Sequence, residues 1–362
     1  MISLLALSAL VSIFGQVVLA DGFTGRDLMV VLRYVVYLAA LYAGVATALA
    51  GEGIVLRWVA LCLVGLAIII SFMQYFNIGG LNSTIVPYYS VADRYAILES
   101  GESWRRIIGT MGNPNYWGFI LGLGFIYSSY MCLQKQYRFF GLALLFFLSI
   151  IMSGSRTGIT ASFAAVIIGF LSTAITQRRL ATKFAMFTLS VGLLVGSIYL
   201  AFSLFSENYY DAQDRFSISN LGTLRQRMLW WVEIYHKMAA QPYAFVIGFG
   251  PDKLHSVRFS DNMYVRYFRD FGLIGLVLYL VLLLRFLTRV YRLSNVVDGK
   301  LSVFIKVTWL GFVQLAVFDL AADGWFNVRI TELLLFSYGL AIGFVYRRRR
   351  DGAQHESIHY YS

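Results

Sequence analysis

Long apolar stretches alternate with short polar segments along the whole of this chain. A helix needs about 20 mostly apolar residues to cross the roughly 30 Å hydrocarbon core of a bilayer, and most of these stretches are close to that length. The pattern therefore predicts an all-α, polytopic membrane protein, a helical bundle of about ten transmembrane helices. The predicted spans are residues 2–20, 28–50, 54–73, 117–133, 139–152, 159–175, 184–205, 272–287, 301–320 and 331–346.

Polar residues collect in two long segments, 74–116 and 206–271, and the other connections between spans are short. The apolar fraction of the chain is 59% and the mean hydropathy is +0.67. A soluble domain of this length would be nearer half apolar. The sequence contains no evident internal repeat or low-complexity linker. We therefore interpret residues 1–362 as a single integral membrane domain with two elaborated loops.

The distribution of Lys and Arg predicts the orientation of the spans, because cytoplasmic loops carry an excess of these residues. The run Arg347-Arg348-Arg349-Arg350 predicts that the tail 347–362 is cytoplasmic. With ten spans, basic residues then outnumber acidic residues by ten on the cytoplasmic side and by one on the other side. Both long loops face away from the cytoplasm. The net charge of +11 is thus a topological signal, and we expect no nucleic-acid partner.

The first apolar stretch has two interpretations. Val18-Leu-Ala20 before Asp21 would serve as a signal-peptidase site, but no Lys or Arg precedes the apolar run. We favour a retained helix over a cleaved signal peptide. Cleavage would remove one span and leave the remaining topology unchanged.

The larger outer loop, 206–271, contains a predicted amphipathic helix near residues 224–240. Apolar residues recur there at helical spacing, which is typical of a helix lying at a membrane surface. Pro242 is expected to end this helix. Gly248 and Gly250 then permit a close approach of the backbone to a neighbouring segment or to a ligand. The residues of the predicted stripe are Leu224, Met228, Trp231, Val232, Tyr235 and Met238.

Two further polar segments precede predicted spans. The smaller outer loop ends in Arg105-Arg106, a pair that can clamp a phosphate, and then in the turn Gly109-Thr-Met-Gly-Asn-Pro-Asn115. Asn115 is placed to cap the helix that follows, and Asn113 is expected to be a turn residue. The second segment is the turn Ser153-Gly-Ser-Arg-Thr-Gly158, which carries Arg156.

These two turns, together with the ordered series from Arg227 to Gly275, resemble the O-antigen polymerase and O-antigen ligase superfamily of bacterial envelopes. The resemblance covers roughly residues 105–280. It implies a GT-C-like membrane glycosyltransferase of the bacterial inner membrane that acts at the periplasmic face on undecaprenyl-diphosphate-linked oligosaccharides. It also implies no nucleotide sugar, no metal and no other cofactor. The expected partners are membrane lipids, a chain-length regulator and a flippase.

One position separates the two activities of this superfamily. Ligases usually carry a His-Asn pair where this chain has Asp261-Asn262. The chain therefore resembles a polymerase more than a ligase, which remains the alternative. His255 lies six residues earlier and does not fit the ligase pattern.

The chemistry of such a transfer suggests candidate residues. A diphosphate is a good leaving group, and arginine suits the negative charge that develops on it. A carboxylate can accept the proton of the attacking hydroxyl, and transfer is expected to proceed by a single displacement with inversion. The predicted catalytic residues are Asp261, Arg227 and Arg156, with His255 and Asp252 as reserve bases. The predicted substrate-binding residues are Arg105, Arg106, Arg215, Arg258, Arg266, Asn262, Tyr264 and Asn113.

Each candidate also has a structural interpretation. Asp261 is equally well placed to cap the next helix, and loop arginines often bind lipid headgroups. We expect Asp319 to form a structural pair, with an outer arginine as its candidate partner. A transporter or flippase is the competing class of function, but such proteins tend to contain two similar halves, which this sequence lacks.

Overall fold

A computed structural model describes residues 2–19, 25–51, 53–84, 86–88, 106–175, 222–251, 262–297 and 299–359. In these ranges all regular structure is helical, and the all-α prediction is confirmed for them. Six helices there are long and apolar enough to cross a membrane, or seven if one bent pair of helices counts as a span. The predicted span 184–205 lies outside the described residues, and the count of ten is not confirmed.

Seven of the described helices begin and end within three residues of a predicted span, whereas the helices over the predicted spans 272–287 and 331–346 are longer than predicted. We number them α1 to α11 in chain order and leave the shortest turns unnumbered. They are α1 Ile2–Leu19, α2 Gly25–Ala50, α3 Gly53–Tyr75, α4 Pro114–Leu133, α5 Phe140–Ser153, α6 Arg156–Ile175, α7 Gly222–Ala239, α8 Pro242–Ile247, α9 Met263–Val296, α10 Lys300–Phe318 and α11 Val328–His359.

The chain divides into two compact units. The first unit comprises residues 1–66, 160–162 and 229–362, and the second comprises residues 67–159 and 163–228. The described parts of the first unit include α1, α2 and α8 to α11, whereas α4 and α5 lie in the second unit.

In the first unit, α2 and α11 pack closely because small residues face each other. A Cβ atom on Gly44 would lie 2.2 Å from the Phe336 carbonyl oxygen, and one on Gly339 would lie 2.1 Å from the Leu41 carbonyl oxygen. Gly343, one turn after Gly339, likewise faces the α2 backbone at Val45. Small residues spaced four apart allow membrane helices to approach at backbone distance. The Gly339-xxx-Gly343 pattern thus explains why α2 and α11 approach so closely.

An aromatic core fills the first unit between α2, α9 and the segment that follows α10. The Tyr267 ring stacks on Tyr279 with centroids 4.4 Å apart, and Tyr267 also contacts Phe326. The hydroxyl of Tyr37 donates to the Trp325 carbonyl at 2.6 Å. The hydroxyls of Tyr34 and Tyr267 lie 3.1 Å apart. These buried hydroxyls are hydrogen-bonded, as polar groups inside an apolar bundle need to be.

Glycines also set the packing of the second unit. A Cβ atom on Gly158 of α6 would lie 3.0 Å from the Gly118 carbonyl carbon of α4. Deeper in the bundle, the rings of Phe125, Phe147 and Phe163 contact one another with centroids 5.5 to 5.7 Å apart. The starts of α4 and α6, which follow the two predicted turns, are therefore held side by side.

The amphipathic helix predicted near 224–240 corresponds to α7, and Pro242 begins the short helix α8. The predicted apolar stripe does not share one environment. Met238 is fully buried in a small core with Ala244 and Phe249, whereas Val232 and Tyr235 are more than half exposed. The spacing therefore predicted the helix correctly, but it merged a packed face with an exposed apolar face.

Candidate functional site

Helix α9 is broken at Gly272, where the backbone leaves the helical region with φ 65° and ψ −164°. The carbonyls released by the break are hydrogen-bonded. Arg269 O accepts from Phe249 N at 2.8 Å, and Asp270 O accepts from Gly250 N at 3.0 Å and from the Ser12 hydroxyl at 2.7 Å. A break in an apolar helix is tolerated when the freed backbone groups are satisfied in this way.

Two glycines that face each other's backbone segments make this break possible. A Cβ atom on Gly248 would lie 2.3 Å from the Asp270 carbonyl oxygen, and one on Gly272 would lie 2.3 Å from the Val246 carbonyl oxygen. Both glycines have positive φ, which L-residues with a side chain rarely adopt. The sequence left open whether the Gly248–Gly250 turn approaches a neighbouring segment or a ligand. The described contact is with a neighbouring segment, α9.

Asn262 and Tyr264, both predicted to bind substrate, hold the start of α9. The Asn262 side-chain oxygen accepts from the backbone of Tyr264 at 2.9 Å and of Val265 at 3.1 Å, so Asn262 is the N-cap. Its amide nitrogen donates to Leu320 O at 2.8 Å. The Tyr264 hydroxyl donates to Ala316 O at 2.8 Å. The first turn of α9 is therefore tied to the end of α10.

Arg266 lies in a buried ionic network. Its guanidinium contacts the Asp323 carboxylate at 2.5 Å and the Asp270 carboxylate at 3.4 Å, and it stacks over the Phe326 ring at 4.4 Å from the centroid. Asp270 also pairs with Arg269 at 2.6 Å. These side chains are at most 15% exposed. The network joins the N-terminal part of α9 to the segment after α10, and neither aspartate was singled out as a partner from the sequence.

The buried carboxylate of Asp319 has a tyrosine as its partner. It accepts a hydrogen bond from the Tyr279 hydroxyl and another from the Trp325 backbone at 3.2 Å. Asp319 is therefore held by structural hydrogen bonds, and its described side-chain partner is Tyr279 and not the arginine proposed from the sequence.

In the second unit, Arg106 connects the two predicted turns. Its Nε donates to the Ser153 carbonyl at 3.2 Å and its Nη2 donates to the Asn115 side chain at 3.3 Å. A Cβ atom on Gly154 would lie 3.0 Å from the Arg106 Nε, so the guanidinium rests against the turn. Two motifs separated by some forty residues are thus brought together at one place.

Arg156 is the first residue of α6, and it is exposed. The turn before it is closed by serine side chains, since Ser155 Oγ accepts from Gly158 N at 2.9 Å and Ser153 Oγ accepts from Ser155 N at 3.2 Å. Ser155 thereby caps the helix. The N-terminus of a helix carries a partial positive charge, and Arg156 adds a full one at the same place.

The cap of α4 differs from the prediction. Asn113, which was expected to be a turn residue, is the N-cap and accepts from Asn115 N at 2.9 Å. Asn115 does not cap the helix because it lies within the first turn, where its side chain accepts from Arg106.

The remaining candidates are placed only in part. Arg227 lies in α7 and is partly exposed. Arg105, Arg215, Arg258 and Asp261 lie outside the described residues, as do the reserve bases His255 and Asp252.

Comparison with known families supplies the remaining observation. Residues 141–280 match a family model described as O-antigen ligase. Over this segment the chain is similar to that family, which supports the O-antigen ligase and polymerase superfamily. The matched segment begins in α5, contains Arg156 and Arg227, and ends eight residues after the break in α9. No curated protein matches the chain. The apolar helices and the family match together indicate a multi-pass membrane protein of the glycosyltransferase-like kind.

Proposed function

We propose that this protein is a polysaccharide polymerase. It transfers a growing glycan from undecaprenyl diphosphate to a hydroxyl of an incoming lipid-linked repeat unit, at the periplasmic face of the bacterial inner membrane. The family match supports the class of reaction, a glycosyl transfer in the membrane. The Asp261-Asn262 pair, in place of the ligases' His-Asn, favours the polymerase.

The arginines of the second unit suit the donor lipid. As the bond between the sugar and the diphosphate breaks, negative charge develops on the leaving diphosphate. Arg156 is the first residue of α6, and Arg106 contacts the turn just before it. A capped helix N-terminus of this kind attracts anions. Arg227 lies in the matched segment as well. We assign Arg156 and Arg227 to stabilising the leaving group and Arg106 to binding it.

In the proposed reaction, the acceptor hydroxyl attacks the anomeric carbon of the donor glycan, and Asp261 takes the hydroxyl proton. A new glycosidic bond forms while the bond to the diphosphate breaks. The products are a glycan lengthened by one repeat unit on the acceptor's lipid and one free undecaprenyl diphosphate. A single displacement inverts the anomeric configuration.

A ligase is the second candidate, and the family model's description favours it. A ligase would move the glycan to another acceptor, such as a lipid A core, and would form one capped product. A polymerase forms a ladder of lipid-linked products. The two functions therefore differ in a single assay.

The test uses purified protein and a lipid-diphosphate-linked repeat unit, without nucleotide sugar and with a metal chelator. We expect a ladder from the natural protein. Arg156→Ala and Arg227→Ala should each lower the rate at least about 100-fold, which is typical for losing a group that stabilises transition-state charge. Arg138→Ala removes an exposed arginine in the same unit and should leave the ladder unchanged. Full activity in both site variants would refute the site assignment.

A further inference from the structure

Gln74, at the end of α3, contacts the Gly109–Asn115 turn although it belongs to none of the motifs. Its side-chain oxygen accepts from the backbone N–H groups of Ile108 at 3.2 Å and Gly109 at 2.8 Å. Its side-chain nitrogen donates to the Gly109 carbonyl at 3.4 Å. One side chain therefore satisfies three backbone groups of this segment.

Gln74 is itself held rigidly. Its side chain is 1% exposed, and its backbone carbonyl accepts from the buried Asn82 side chain at 2.9 Å. One turn earlier on α3, Ser71 accepts from the indole N–H of Trp117 at 3.0 Å. The Trp117 ring in turn covers Gly109, where a Cβ atom would lie 1.9 Å from it. The end of α3 therefore holds the turn at two places, through the Gln74 hydrogen bonds and through Ser71 and Trp117.

The backbone that Gln74 holds, Ile108 and Gly109, lies close to Arg106 in the chain. Ile107 N donates to the Met152 carbonyl at 3.2 Å, and the next residue back, Arg106, contacts Ser153 and Asn115. Along the chain, only Ile107 separates Arg106 from Ile108 and Gly109, the two residues that are hydrogen-bonded to the Gln74 side chain. A shift of the bonded backbone would therefore move the guanidinium.

We infer that Gln74 is a positioning residue that fixes the Arg106 guanidinium for binding the donor diphosphate. This inference rests on the proposed function for the role of Arg106, and on the described contacts for the role of Gln74. In this inference Arg106 contacts the diphosphate, and Gln74 acts only by positioning Arg106. A misplacement of about 1 Å in a binding group is enough to lower activity strongly.

The test compares Gln74→Met, which keeps the side-chain length and removes all three hydrogen bonds, with Arg106→Ala and the double variant. The readout is the affinity of the purified proteins for undecaprenyl diphosphate in detergent. We expect about tenfold weaker binding for each single variant, and no further loss in the double variant because both changes disable the same group. Natural affinity in Gln74→Met, or losses that multiply, would overturn the inference.

Two further variants separate positioning from folding. Gln74→Glu keeps an oxygen that can accept from Ile108 and Gly109, so it should retain binding within a few-fold of the natural protein. Gln134→Met alters an exposed glutamine in the same unit and should have no effect. Loss of binding in Gln74→Glu equal to that in Gln74→Met would contradict the hydrogen-bonding role.

Hydrogen exchange gives a readout that does not depend on the ligand. Amides of residues 107–109 should exchange faster in Gln74→Met than in Arg106→Ala, while the transmembrane helices keep their protection. If the natural protein bound no undecaprenyl diphosphate, the proposed function would fail, and the exchange result would still decide whether Gln74 holds the turn. Unchanged exchange at these amides would refute the claim that Gln74 holds this backbone segment.

Discussion

Arg266 illustrates how a charged residue of a predicted loop acquires a structural role. The sequence places it among seven outer arginines that suit a diphosphate. In the structure its charge is neutralised by Asp270, one turn along α9, and by Asp323, 57 residues away in the chain. The first partner lies at the i+4 spacing that the sequence displays. The second depends on how α9 and α10 pack, which local patterns do not contain.

Removing Arg266 should destabilise the protein. Asp270 and Asp323 are largely buried. Arg266→Ala removes the described cationic partner of Asp323, while Asp270 keeps Arg269. Breaking a buried pair in this way costs about 3 kcal/mol. The apparent melting temperature in detergent should fall clearly. Arg285→Ala removes an exposed arginine from the same helix and serves as the control.

The coupling between Arg266 and Asp323 distinguishes this scaffold role from substrate binding. In the double variant Arg266→Ala, Asp323→Asn the Asp323 charge is removed together with that of Arg266, so the losses of stability should be less than additive by at least about 0.5 kcal/mol. Equal stability of Arg266→Ala and the natural protein would show that the network does not support the fold.

At the scale of whole elements, the apolar pattern predicted helices better than it predicted their ends. The predicted start of the eighth span at Gly272 coincides with the break in α9. Helical structure nevertheless continues on the N-terminal side of the break, back to Met263, because Asn262 caps it and α10 anchors it. The polar residues Arg266, Arg269 and Asp270 concealed this helical segment from a search for apolar runs.

The α2–α11 pair provides an element-scale prediction. In Gly339→Ala the new methyl group would meet the Leu41 carbonyl at 2.1 Å, so the two helices must separate. Overpacking of this kind costs about 1 to 3 kcal/mol. The matched change Gly65→Ala on α3 meets no atom within 4 Å and should be neutral or slightly stabilising.

Thermal unfolding of both glycine variants in one detergent checks this prediction. A lower apparent melting temperature for Gly339→Ala alone supports close packing through small residues. An equal effect of the two alanines would indicate that α2 and α11 are not in backbone contact.

At the scale of the whole molecule, the apolar periodicity was sufficient to predict the all-α membrane class, and the ordered motifs were sufficient to recognise the superfamily. The candidate site was predicted less completely. Arg106 and the Ser153–Gly158 turn were both singled out, but their contact arises from the packing of α4 against α6 through Gly118 and Gly158. Gln74 was missed because a single glutamine at the end of an apolar helix carries no local signal.

The orientation of the whole protein is open to a direct labelling test. In a variant with Cys62 and Cys132 replaced by alanine, Gln241→Cys lies on the predicted periplasmic side and Gln134→Cys on the cytoplasmic side, and both positions are exposed. A membrane-impermeant maleimide applied to spheroplasts should label the first site, and it should label the second only after lysis. The reverse pattern would place residues 206–271 in the cytosol and exclude periplasmic polymerisation.

The central claim is that one lipid-linked glycan displaces undecaprenyl diphosphate from another. The most direct measurement is the amount of free undecaprenyl diphosphate released by the purified protein, set against the number of glycosidic bonds in the ladder. We expect one molecule released for each bond formed, with no nucleotide sugar present. Chain growth without this release, or release without chain growth, would contradict the account.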